Sequence, residues 1–79
     1  MVTFDKVGQA ILDGLIMAAR KARAGGDNID YLGGALSVSQ HQALRLRIPW
    51  IALVGEVRAA LGTEYDDLID QAVSRMLIQ

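Results

Sequence analysis

The stretch AILDGLIMAA at residues 10–19 places apolar side chains around most of a helical circumference, broken only by Asp13 and a glycine. At 100° per residue, Phe4, Val7, Ile11, Leu15, Ala18 and Ala22 fall on a main stripe. Leu12, Ile16 and Ala19 widen it on one side, and Ala10 and Met17 extend it on the other. Asp5, Lys6, Gln9, Asp13 and Arg20 are left with about a third of the circumference. A chain of 79 residues has few partners with which to wrap such a helix. Two arrangements follow: a central helix wrapped by the rest of the chain, or a dimer seam along Leu12, Ile16 and Met17. The shortness of the chain favours the seam.

Working outward, the first helix spans residues 4–24 in this reading. Thr3 caps it, Val2 staples against Val7, and Gly25 and Gly26 release it. Arg20, Lys21 and Arg23 suit its negative end. A second helix, about 28–47, starts on Asp27 or Asn28 and buries Ile29, Leu32, Leu36, Ala43 and Leu46, with Ser39 in the same stripe. Gly33 and Gly34 mark a close helix–helix contact, a kink or a break into two helices. Pro49 opens a third helix, 49–61, since it disfavours the helical conformation at Ile48 and fits the first helical position. Trp50, Leu53, Val54, Val57 and Leu61 form its apolar face, with Ala52, Gly55 and Ala59 a smooth second face. Gly62 ends it. Thr63 then caps a fourth helix, 64–77, with Asp66 at the capping-box position. Its apolar side holds Tyr65, Leu68, Ile69, Ala72, Val73, Met76 and Leu77. The expected fold is all-α, a single domain forming a compact, oligomeric bundle of about four short helices joined by two to four residues.

Composition narrows the function classes. The chain has no cysteine, so neither a disulfide nor a thiolate nucleophile or ligand exists. Its hydrophobic content of 52% is too high for a disordered chain. A net charge of −1 supplies no global basic field for nucleic acid. The N-terminal MVTFDKVGQ lacks the basic and apolar regions of a signal peptide, and no apolar run approaches a bilayer's thickness. A cytoplasmic protein without a membrane role is expected.

Chemistry is sparse. His41 is the single histidine. Ser37 lies four residues before it, close enough on a helix to touch, yet such a pair is ordinarily a surface contact. Asp27 and Asp30 stand three apart near a helix start, a spacing at which carboxylates hold Mg²⁺ when others converge. The segment from Asp30 to Val57 is loosely similar in texture to part of the all-helical nucleotide pyrophosphohydrolases of the MazG type. That resemblance covers under half the chain and implies a metal-dependent enzyme built on helical acid clusters. The paired glutamates of that family have no counterpart in the first helix, where Asp13 and Arg20 hold the polar face. No residue is carried over, and helix capping accounts for the two aspartates more simply. No catalytic residue, metal or cofactor is expected.

Partner binding is the better-supported class. The outer face of the second helix sets Tyr31, Gly34, Val38, His41 and Arg45 at helical spacings. It mixes an aromatic, a β-branched residue and an arginine, as interaction surfaces do. The sole tryptophan, Trp50, reads as a core anchor before a ligand platform. Glu64, Asp66, Asp67 and Asp70 form an acidic strip facing bases of this chain, of a second copy or of a foreign partner. The expectation is a small non-enzymatic regulator, adaptor or inhibitor, a profile shared by accessory proteins of phages and mobile elements. Its partners would be itself and another protein. The alternative from another class is a small DNA-binding regulator using Arg45 and Arg47.

Overall fold

The computed structural model describes residues 4–78. They form α1 (Lys6–Ala24), α2 (Ile29–Arg45), α3 (Trp50–Leu61), a 3₁₀ turn (Thr63–Tyr65) and α4 (Asp66–Ile78). There is no strand among the described residues. Among the described residues no helix is long and apolar enough to cross a membrane.

Local chemistry sets the boundaries. α1 starts two residues later than its apolar pattern suggests, because Asp5 is the N-cap and its carboxylate accepts the Gly8 N–H at 2.8 Å. The expected cap Thr3 and staple residue Val2 lie outside the described residues. The chain leaves α1 through Gly26 and Asp27, both left-handed, and the Asn28 N–H returns to the Ala22 carbonyl at 2.9 Å. Asn28, not Asp27, caps α2 by accepting the Tyr31 N–H.

α2 runs unbroken through Gly33 and Gly34, and the two glycines serve different faces. A Cβ on Gly33 would sit 3.6 Å from the Ala72 carbonyl oxygen, so Gly33 marks the close approach of α2 to α4. Gly34 faces open space. At its end the Ile48 N–H bonds the Ala43 carbonyl, and the Arg47 N–H bonds that of Leu44. This is a Schellman closure with arginine in the left-handed position usually held by glycine.

Pro49 stands as the N-cap of α3 rather than inside it, and its carbonyl accepts the Leu53 N–H. No hydrogen bond from the Thr63 side chain occurs among the described residues. Thr63 opens the 3₁₀ turn instead, which delays α4 to Asp66. Asp66 does not close a capping box: its carboxylate meets Arg58 of α3.

α2 packs most extensively on α4, then on α1, while α1 also rests on α3. Leu15, Leu32, Leu53, Leu68 and Ile69 are fully buried at the centre. The chain wraps α1 more completely than its length suggests. Leu12, expected on the seam, is only 7% exposed and belongs to this chain's own core. Ile16 is half-buried against that core, and of the three only Met17, at 69%, projects freely. The buried side of α1 is turned toward Gly8, Leu12 and Ala19, which leaves Val7 outside. Leu46 and Leu77, expected inside, lie exposed at helix ends where no neighbouring element covers them. The Cα atoms span 32 × 26 × 16 Å. The short dimension is about two helix layers at the usual axis spacing of about 8–10 Å. Every helix therefore keeps an outward side.

Candidate binding surface

α1 and α2 are joined by residues 25–28 and lie side by side. Between the first half of α1 and the second half of α2 runs an open groove of about 610 Å³. Val7, Ala10, Ile11 and Gly14 line it from α1; Ser39, Gln42, Arg45 and Leu46 line it from the other side. Ala10, Gly14 and Ser39 are short, Val7, Ile11 and Leu46 are larger and apolar, and Gln42 and Arg45 give the α2 wall its polar part. A helix presenting large side chains fits a channel of this kind.

The four residues expected on the outer face of α2 share that face. Tyr31, Val38, His41 and Arg45 are all exposed, and Arg45 reaches the groove wall. Tyr31 is met from α1 by the Lys21 ammonium, 5.5 Å above its ring. His41 and Ser37 are not joined by a hydrogen bond among the described residues. Met17 is exposed on the α1 side, whereas Leu12 and Ile16 point into the bundle.

Charge divides unevenly across the molecule. Residues 4–48 carry six bases against four acids, and residues 49–78 carry two bases against five acids. Ion pairs deepen the asymmetry. Asp27 meets Arg23 at 2.8 Å, Asp30 meets Arg75 at 2.8 Å, and Asp66 and Asp70 both meet Arg58. The bases left without an ion pair among the described residues are Lys6, Arg20, Lys21, Arg45 and Arg47, all on or just beyond α1 and α2. The acids left without an ion pair among the described residues are Asp5 and Asp13 on α1 or at its start, and Glu56, Glu64 and Asp67 in the second half of the chain.

The other sequence candidates resolve into structural contacts. Asp27 and Asp30 are drawn to different cations on different helices, so they do not converge. No group of three or more metal-ligating side chains occurs among the described residues. Arg23, grouped in sequence with the bases ending α1, clips the 3₁₀ turn to α1. It donates to the Glu64 carbonyl at 2.6 Å and stacks 4.7 Å from the centre of the Tyr65 ring. Trp50 is half-buried on the wall of a separate groove between α3 and α4.

Sequence reasoning missed the α1 wall of the first groove. The small residues Ala10 and Gly14 were a usable signal, because they fall on one face at a four-residue spacing. Their partner on α2 is not encoded in either segment alone. No protein-family model, curated protein or solved structure matches the chain.

Proposed function

We propose that this protein is a small non-enzymatic interaction module, a regulator, adaptor or inhibitor, that receives an acidic amphipathic helix of another protein along α1 and α2. One observation carries the reading: an open groove lined mainly by small and apolar side chains, with Gln42 and Arg45 in its α2 wall, lies on the part of the chain that holds every base left without an ion pair among the described residues. Apolar residues of a partner helix would seat against Ala10, Gly14 and Ser39. Its carboxylates would meet Arg45 and the neighbouring bases. Such charges chiefly raise the encounter rate and reject basic partners, and the apolar contacts hold the complex.

The test places a photo-crosslinking side chain at Val38 in the full-length protein in its native host lysate, with a control at Gln71 on α4. One protein captured at position 38 and not at 71 is expected, crosslinked through an acidic helical segment. With that protein purified, Ala10→Glu in the groove wall should weaken binding at least tenfold, and raising the salt should slow association. Equal capture at both positions overturns the reading. The free bases at Arg20, Arg45 and Arg47 define the rival outcome. Salt-sensitive binding to duplex DNA, lost in Arg45→Ala or Arg47→Ala, would replace a protein partner with nucleic acid.

A further inference from the structure

Among the described residues two with side chains lie in the left-handed region, Asp27 at φ 59° and Arg47 at φ 58°. There the Cβ of an L-residue crowds the backbone, and aspartate is one of the few types that visit the region readily. Asp27 is further held by its ion pair with Arg23 at 2.8 Å. Arg47 has no such compensation. Its side chain is exposed and meets no carboxylate, carbonyl or aromatic ring among the described residues. The Schellman closure needs only a left-handed backbone, which glycine gives without crowding. The negative end of α2 favours a cation, but Arg45 already stands in its last turn at an ordinary φ. The fold accounts for a turn at position 47 and not for an arginine there.

The turn also fixes where that arginine stands. Leu46, one residue before it, lines the α1–α2 groove. Ile48, one residue after it, reaches the start of α1, with its Cδ1 3.3 Å from the place of a Cβ on Gly8. Arg47 is therefore held at the end of the groove where α2 stops beside the first turn of α1. Arg45 lines the groove there as the last residue of α2, and Lys6 is the first residue of α1. None of the three bases has an ion pair among the described residues. The Asp5 carboxylate stands beside Ile48 but accepts the Gly8 N–H at 2.8 Å. A strained residue with no compensating contact inside the chain points to a contact made outside it.

We propose, resting on the reading of this groove as the seat of an acidic helix, that Arg47 is a specificity residue that meets a carboxylate of that helix at the Val7–Leu46 end. At the rim of a complex such a charge acts on the rate of encounter and on the choice of an acidic over a basic partner. Glycine at this position would suit the fold better and the complex worse, the usual opposition between stability and function at a binding residue.

The probe is a stapled amphipathic peptide helix with leucines along one face and glutamates flanking them, titrated against the full chain beside a version with lysines for the glutamates. The wild type should bind the glutamate peptide about tenfold more tightly than the lysine peptide. Arg47→Gly should raise the melting temperature of the free protein and yet weaken the glutamate peptide about fivefold, through slower association. Arg47→Lys keeps both the charge and the crowding, so its melt and its affinity should stay near the wild type's, the latter within about twofold. Arg20→Ala, which removes a base far along α1 from this end, should also bind nearly as the wild type does. An Arg47→Gly variant that melts lower overturns the proposal, because the chain itself then uses the arginine. So does one that binds the glutamate peptide unchanged while Ala10→Glu still loses it, a result that the groove reading survives. An Arg20→Ala loss as large as that of Arg47→Gly overturns it too, by assigning the effect to net charge. A wild type that binds neither peptide, or both equally, or that Ala10→Glu matches, removes the groove reading and the proposal together.

Discussion

Arg47 carries the clearest local conflict in the chain. Its φ of 58° lies in the left-handed region, where the Cβ of an L-residue crowds the backbone. The conformation persists because two backbone hydrogen bonds close the end of α2 through it and because Ile48 must turn inward. The Cδ1 atom of Ile48 comes within 3.3 Å of the space a Cβ on Gly8 would fill, so the turn delivers Ile48 into a notch at the start of α1. Arg47→Gly removes the crowding and keeps the closure. A gain of about 0.5–1 kcal/mol is expected, after the greater freedom of glycine in the unfolded chain is discounted. That corresponds to about 2–8 °C in a thermal melt of a domain this size. Gly8→Ala should act in the opposite direction. Its new methyl would lie 2.9 Å from the Phe4 Cβ as well as against Ile48, so a lower melting temperature is expected.

Among the elements, the adjacent glycines of α2 separate packing from propensity. Gly34→Ala adds a methyl in open space and should stabilise the helix by about 0.5–1 kcal/mol. Gly33→Ala should show a similar gain, since 3.6 Å to the Ala72 oxygen is an ordinary contact. Gly33→Leu has no such room and should wedge α2 from α4, lowering stability by about 1–3 kcal/mol. Urea titrations of the three variants read these differences directly. The same pair shows what the sequence made legible. Two glycines in a helical pattern announced a special position, but only the lie of α4 tells which faces inward. Helix ends were legible at Gly26 and Gly62 and, as one of two caps offered, at Asn28, whereas Asp5, Pro49 and Thr63 set helix starts that the apolar pattern placed differently. The rotation of α1 was not legible. A segment apolar on nearly every side has little contrast, so its neighbours choose the buried face, and they chose Leu12 over Val7. On the candidate surface, the exposure of Tyr31, Val38, His41 and Arg45 follows from the helical period. The opposite wall at Ala10 and Gly14 required knowing which helix lies alongside. Likewise Arg58 and Arg23 bridge elements that no sequence spacing connects.

For the molecule as a whole, size governs the argument. A domain of 79 residues has about 4–12 kcal/mol of folding stability in total, and this one leaves a nearly uncharged helix face in water. If two copies cover that face, folding and association become linked equilibria, and stability depends on protein concentration. Each tenfold rise in concentration above the dissociation constant stabilises the dimer by about 1.4 kcal/mol. Shared between two chains of this length, that shifts the melting temperature by about 3–5 °C. A wild-type melt that climbs with concentration, beside an Ile51→Glu melt that does not move, would place a second copy on that face. At the lowest concentrations, where any such pair dissociates, the variant should match the wild type, because Ile51 contributes little to the core of a single chain. A wild-type melt independent of concentration would mean that the monomer carries its exposed α3 unaided. A variant that melts lower even when dilute would place Ile51 in the monomer's own packing, against its 87% exposure.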